Sequence, residues 1–200
     1  MHVLFVEPCF PRNQREFVRA LAEVGARVTA IGEAPVSALD GETKQHLYGY
    51  ERVPSVVNEQ ALYHKVREIQ EREWVDRLEA TIEAHILPVA HVREAAEIPG
   101  TSTRTAYLCR DKPAMKEVLR EAGIPCAQST GTASRDEVLS FAKDVGYPLI
   151  LKPRAGAGAA GTYKVTDDAE LENAMRECGL DHGGEIDTKC LGDFWKATVG

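Results

Sequence analysis

Apolar runs and apolar stripes alternate along this chain, and their spacing predicts most of its elements. Val3-Leu4-Phe5-Val6 is a continuous apolar run, the pattern of a strand buried on both faces of a parallel sheet. From Asn13 to Val24, the residues Phe17, Val18, Leu21 and Val24 fall on one helical stripe, and Gly25 supplies a stop. Arg27 to Ile31 reads as a second strand, so the chain opens with the strand–helix–strand unit of a Rossmann-like sheet. Residues 33–57 carry Pro35, Gly41, Gly49 and Pro54 and read as loop, with at most a short helix or strand near Tyr50 to Val53. Two helical patterns follow, Asn58 to Ile69 and Glu73 to His85, the second with Trp74, Leu78, Ile82 and His85 on one stripe. Ile86 to Ala90 fits either a short strand or a helix start. His91 to Glu97 is expected to be helical and to end at Ile98-Pro99-Gly100.

The second half starts after a connection, Thr101 to Arg110, with the boundary placed near Ala106. The expected domains are therefore residues 1–105 and 106–200. Asp111 is suited to cap a helix from Pro113 to Ala122, with the proline in the first turn, where its missing N–H costs nothing. Gly123 ends that helix. Cys126 to Gln128 is expected as a short strand, and Ser134 to Val145 as an amphipathic helix with Val138, Leu139 and Phe141 inward. Asp167 and Glu170 form an acidic N-terminal cap on a helix to Cys178. The acids Asp167, Asp168, Glu170 and Glu172 thus read as a solvated, dipole-matched first turn rather than a metal cluster. Asp181 to Gly200 shows no period, and this tail is expected to be poorly ordered. There is no internal repeat.

One stretch does not fit simple patterning, Gly146-Tyr147-Pro148 through Val165. Four apolar residues, Pro148 to Leu151, lead to Lys152. After Pro153 and Arg154 come seven residues of only glycine and alanine, Ala155 to Gly161, and then a second β-prone run from Thr162. Small residues let a backbone approach a ligand closely, and glycines at positive φ turn several N–H groups into one concavity. Lys152, Arg154 and Lys164 flank that concavity, and no acid lies between Gly146 and Thr166. A phosphate chain suits it; a flexible link between two edge strands is the plain alternative.

Two familiar phosphate loops do not match. The mononucleotide loop G-x-x-x-x-G-K-S/T places its lysine after the last glycine, whereas here Lys152 precedes the loop. Gly156, Gly158 and Gly161 do have dinucleotide G-x-G-x-x-G spacing, but that loop must open a helix, and here a strand follows. The turn after the first strand, Glu7 to Pro11, contains no glycine. The first domain is therefore expected to scaffold rather than to bind a nucleotide.

Composition narrows the partners. A net charge of −7 argues against a general nucleic-acid binder and favours a small anionic ligand at one locally basic loop. The five cysteines form no C-x-x-C pair, the six histidines form no H-E-x-x-H pattern, and zinc is not expected. No basic-plus-apolar leader opens the sequence and no run of eighteen apolar residues occurs, so the expectation is a cytoplasmic chain with no membrane partner.

At Asp111-Lys112, with its helix to Gly123-Ile124-Pro125, and again at Gly146-Tyr147-Pro148 to Val165, the sequence resembles the ATP-grasp superfamily. The resemblance covers roughly residues 104 to 178. It implies an α/β fold: a Rossmann-like pre-ATP-grasp domain followed by a truncated α+β ATP-grasp subdomain. It also implies ATP with magnesium, a small carboxylate substrate and possible homo-oligomers. Full-length relatives would be ADP-forming ligases of the carboxylate–amine or carboxylase kind, activating a carboxylate as an acyl phosphate. Carried over by position, Lys112 and Lys152 resemble the lysine pair that contacts nucleotide phosphates; either is otherwise a surface lysine. Lys116 and Arg154 are weaker candidates. The loop departs from common versions in having no serine, so the backbone of Gly156, Ala157, Gly158, Ala159, Ala160 and Gly161 must carry the binding. Glu185-Ile186-Asp187 falls where the family's adenine hinge begins but matches it poorly. The family's magnesium ligands would lie beyond position 200, so no metal ligand is expected in this chain. No catalytic residue is identified, and the chain alone is expected to be inactive. A non-catalytic nucleotide-binding or regulatory module is the second function class.

Overall fold

The computed structural model describes residues 1–156, 158–180 and 197–199. The chain forms two compact units, Met1–Tyr107 and Leu108–Gly200. In the first, strands β1 (His2–Val6), β2 (Arg27–Gly32), β3 (Gly49–Arg52) and β4 (Arg77–Glu79) form a parallel sheet in the order β3-β2-β1-β4. Helices α1 (Gln14–Glu23), α2 (Gly41–His46), α3 (Glu59–Gln70), α4 (Ile86–Ala95) and α5 (Thr103–Arg110) complete it, the last three residues of α5 belonging to the second unit. Every residue of β1 is buried because both faces of the sheet are covered. Leu4, Val6, Ile31 and Leu78 pack with Leu62 and Val66 of α3 and Val89 and Val92 of α4. Phe5 and Val28 pack on the other face with Val18 of α1. A central strand so enclosed explains the unbroken apolar run.

Three expectations for this unit are corrected. Residues 33–57, expected as loop with at most a short element near Tyr50 to Val53, contain a 3-10 turn at Val36–Ala38 and α2 ahead of β3. Glu73 to His85 is not a helix: Leu78 lies in β4, in register with Leu4 of β1, and a single 3-10 turn covers Glu83–His85. Trp74, assigned to the inward stripe, is 73% exposed. The four-residue spacing of Trp74, Leu78 and Ile82 imitates a helix, but pairing with β1 places Leu78 in a polar–apolar–polar strand, Arg77-Leu78-Glu79. The expected α1 stripe is also too wide. Val18 is fully buried, Phe17 is partly exposed against Phe5 at 6.2 Å between ring centroids, and Val24 is exposed beyond the helix end. Ile86 to Ala90 begins α4, with Pro88 in the first turn, where no intrahelical N–H bond is lost.

In the second unit α6 (Lys112–Glu121), α7 (Arg135–Val145) and α8 (Asp168–Glu177) accompany strands β5 (Thr130–Thr132), β6 (Leu149–Pro153), β7 (Tyr163–Val165) and β8 (Ala197–Val199). The sheet is antiparallel in the order β5-β8-β6-β7. Its core joins Leu149, Leu151 and Val165 to Val138 of α7 and Leu171 and Met175 of α8. Each helix starts at a side-chain cap: Asp111 accepts the N–H of Ala114, Ser134 that of Glu137 and Asp167 that of Glu170.

The strand expected at Cys126 to Gln128 is instead Thr130–Thr132, paired with β8. The tail expected to lack order from Asp181 lies largely outside the described residues, but its Ala197–Val199 is a strand between β5 and β6. Strand β6 has a second edge to pair, and a partner more than forty positions away leaves no local periodicity to read.

Candidate functional site: the glycine-loop hairpin

Strands β6 and β7 form the hairpin, with Leu149 opposite Val165, Ile150 opposite Lys164 and Leu151 opposite Tyr163. Successive side chains alternate across the sheet. Leu149, Leu151 and Pro153 therefore enter the core, while Lys152 lies on the opposite face, the same face as Ile150 and its partner Lys164. Among the described residues Lys152 has no hydrogen-bond or ion-pair partner. Lys116 of α6 is near enough to feel it. Burial, and then the Lys152 ammonium, hold Lys116 below the ordinary lysine range. Two lysines that repel one another are relieved by an anion.

The start of the loop is held from outside. Arg110 Nη2 donates to Ala155 O at 2.6 Å, and Lys112 Nζ donates to Arg154 O at 3.3 Å and to Gly156 O at 3.0 Å. Arg154 Nε pairs with the carboxylate of Asp111, the same residue that caps α6. Farther along, Gly158, Ala159 and Gly161 all have positive φ, at 61°, 61° and 65°, and Thr162 N–H closes a turn on Ala159 O at 3.1 Å. Alanine at such an angle costs of order 1 kcal/mol relative to glycine.

Among the candidates named from the sequence, Lys112, Lys152, Lys116, Arg154 and Gly156 therefore cluster at the hairpin and the start of α6. Gly158 to Gly161 form its tip. Ala157 and Glu185-Ile186-Asp187 lie outside the described residues. Two neighbours of the loop were not legible: Arg110 as a holder of the loop and Asp111 as the partner of Arg154. The triplet Arg110-Asp111-Lys112 was their only signal, and Asp111 reads there simply as a cap.

The acids after the loop have protein partners. Asp167 caps α8, Asp168 accepts from Tyr147 Oη at 2.7 Å, Glu170 accepts the N–H of Thr166 at 2.8 Å, and Glu172 pairs with Arg135. Burial, and then Asp168, push Tyr147 up to about 12. No group of three metal-ligating side chains occurs among the described residues. No helix among them is long and apolar enough to cross a membrane.

The turn after β1 in the first unit is built around its own anion. Glu7, at φ 61°, turns its carboxylate back to accept the N–H groups of Cys9 at 3.1 Å and Glu33 at 3.4 Å. That fixed negative charge sits at the ends of β1 and β2, where a dinucleotide fold would receive pyrophosphate.

Residues 111–183 match the family described as carbamoyl-phosphate synthase L chain, ATP binding domain. The carbamoyl phosphate synthase arginine-specific large chain of Cutaneotrichosporon cutaneum is 35% identical over 81 residues, 40% of this chain and 7% of that one. The L-amino acid ligase from Bacillus licheniformis has a TM-score of 0.70 at 20% identity, over 99% of this chain and 43% of that structure. The biotin carboxylase domain of the Hydrogenobacter thermophilus 2-oxoglutarate carboxylase, solved with MgADP, ADP and bicarbonate, has a TM-score of 0.69 at 21% identity, over 98% and 43%. The chain thus spans less than half the length of these structures and a small fraction of the curated relative. Residues 111–183 are similar in sequence to that ATP-binding domain, and the chain's fold is similar to those of the ligase and the carboxylase domain.

Proposed function

We propose that the hairpin 149–165 receives the phosphate chain of ATP. The observation that carries this reading is Lys152, a cation on the open face of the sheet with no partner among the described residues, beside an acid-free loop. Lys152 would meet the α- or β-phosphate as a point charge, a charged hydrogen bond of about 1.5–3 kcal/mol. Lys112 supplies a second cation at the loop's base. The backbone N–H groups of Gly156 and of residues 158–161 would line the concavity, with Lys116 adding positive potential behind Lys152.

In a whole protein of the ATP-grasp superfamily the reaction supported is activation of a small carboxylate. A carboxylate oxygen attacks the γ-phosphorus, the bond from that phosphorus to the β-phosphate oxygen breaks, and an acyl phosphate and ADP result. Magnesium, when bound with the nucleotide, neutralises charge on the phosphates during transfer. This chain's residues bind and orient the phosphate chain, and the acids that would hold magnesium are not assigned to it.

The test is calorimetric titration of ATP and ADP. Lys152→Ala is expected to weaken binding at least about tenfold, roughly 1.4 kcal/mol. Unchanged affinity in that variant removes Lys152 from the site.

A further inference from the structure

We propose that Arg110 and Asp111 are positioning residues that clamp the root of the glycine loop. This rests on the phosphate reading of the hairpin and extends it to residues that touch no phosphate themselves. Three consecutive loop carbonyls, those of Arg154, Ala155 and Gly156, each accept a hydrogen bond from the triplet 110–112. A further tie is ionic, from Arg154 to Asp111. Both Arg110 and Asp111 are more than nine-tenths buried. A buried charge is stable only where partners replace water, so both side chains are committed to this place.

Asp111 does two things with its two oxygens. Oδ1 accepts the Ala114 N–H and starts α6, and Oδ2 pairs with Arg154 at the end of β6. The first turn of α6, which carries Lys112, is thereby locked to the strand end that carries Lys152. The two candidate phosphate lysines are thus tied into one register. Beyond Gly156 the described residues show no such tie; Gly158 to Gly161 keep only the turn from Thr162 N–H to Ala159 O.

The test is hydrogen exchange of the full chain without nucleotide, followed by ATP titration. Asp111→Ser keeps an oxygen to cap α6 but removes the charge facing Arg154. Arg110→Gln removes the hold on Ala155. Each is expected to raise exchange at 155–162 at least about tenfold while leaving β1 and α8 unchanged, and to weaken ATP about fivefold or more. Arg154→Leu alone and with Asp111→Ser completes a double-mutant cycle, and the double variant is expected to be no worse than the worse single one. A merely structural role gives additive losses and faster exchange throughout the second unit, which overturns the proposal, as does unchanged loop exchange. Should Asp111→Ser not fold, Arg110→Gln and Arg154→Leu decide the same question. Failure of the wild-type chain to bind ATP would sink the phosphate reading alone, because loop exchange without ligand still tests the clamp.

Discussion

Gly131 of β5 lies so close to Pro113 of α6 that a Cβ added to it would stand 2.6 Å from the proline Cγ and 2.9 Å from its Cβ. Proline is a rigid ring and cannot swing away as a lysine would. The strand and the start of the helix can approach this closely only with a hydrogen at that position, and the clamp residues sit immediately before Pro113.

Gly131→Ala is therefore expected to destabilise the second unit by about 1–3 kcal/mol, the usual cost of overpacking. Gly41→Ala, at the start of α2 with open space around it, is expected to be neutral or slightly stabilising. Calorimetric melting of the two variants checks this. Equal midpoints for Gly131→Ala and the wild type would mean that the approach to Pro113 is not maintained in solution.

The tip of the hairpin is expected to be a lid. Its residues are small, and apart from the single turn on Ala159 the described ones lack an anchor. Without nucleotide, the amides of 158–161 should exchange faster than those of Leu149–Leu151, and ADP should slow them. Protection of the tip equal to that of Val3–Val6 before any nucleotide is added would end the lid idea.

His85 gives the first unit a dependence on pH. It is buried in its 3-10 turn, and its Nδ1 lacks a hydrogen-bond partner among the described residues. Burial pushes its pKa below the ordinary 6.5, against the opposing pull of Glu7 and Glu33. The folded state thus holds its proton more weakly than the unfolded chain does. The stability this group contributes is fully present above pH 6.5 and is lost as pH falls through the depressed folded value. Melting midpoints between pH 5 and 7.5 are expected to fall more steeply for the wild type than for His85→Gln. Parallel curves would mean that His85 is protonated as easily in the fold as outside it.

Much of this was legible in the sequence where local chemistry decides the structure. The run Val3 to Val6, the caps at Asp111, Ser134 and Asp167, and the strand–glycine loop–strand order carry their own signals, and the ATP-grasp resemblance rests on the last of these together with Asp111-Lys112 and its helix to Gly123-Ile124-Pro125. What local pattern could not carry depends on distant partners. Leu78 is a strand residue because β1 lies beside it, and Ala197–Val199 is a strand because β5 and β6 leave a gap for it. The hold of Arg110 on Ala155 joins residues 45 positions apart and has no period at all.

Glu97 offers the last prediction. It follows the end of α4 with φ at 56°, the left-handed region that favours glycine. The surrounding bonds form a helix-closing motif: Ile98 N–H reaches back to Arg93 O at 2.9 Å, and Glu97 N–H to Glu94 O at 3.1 Å. Ile98 is then buried in the core, so the chain must make this turn and cannot relax out of it. A side chain in that conformation costs about 1–2 kcal/mol, while glycine would return roughly 0.5–1 kcal/mol as added freedom in the unfolded chain. Glu97→Gly is expected to stabilise the first unit by about 0.5–1 kcal/mol, raising its melting midpoint by a few degrees. Glu97→Ala keeps the Cβ and the strain, so it should leave the midpoint near that of the wild type. If the alanine variant gains as much as the glycine variant, the gain comes from removing a carboxylate and not from relieving the backbone.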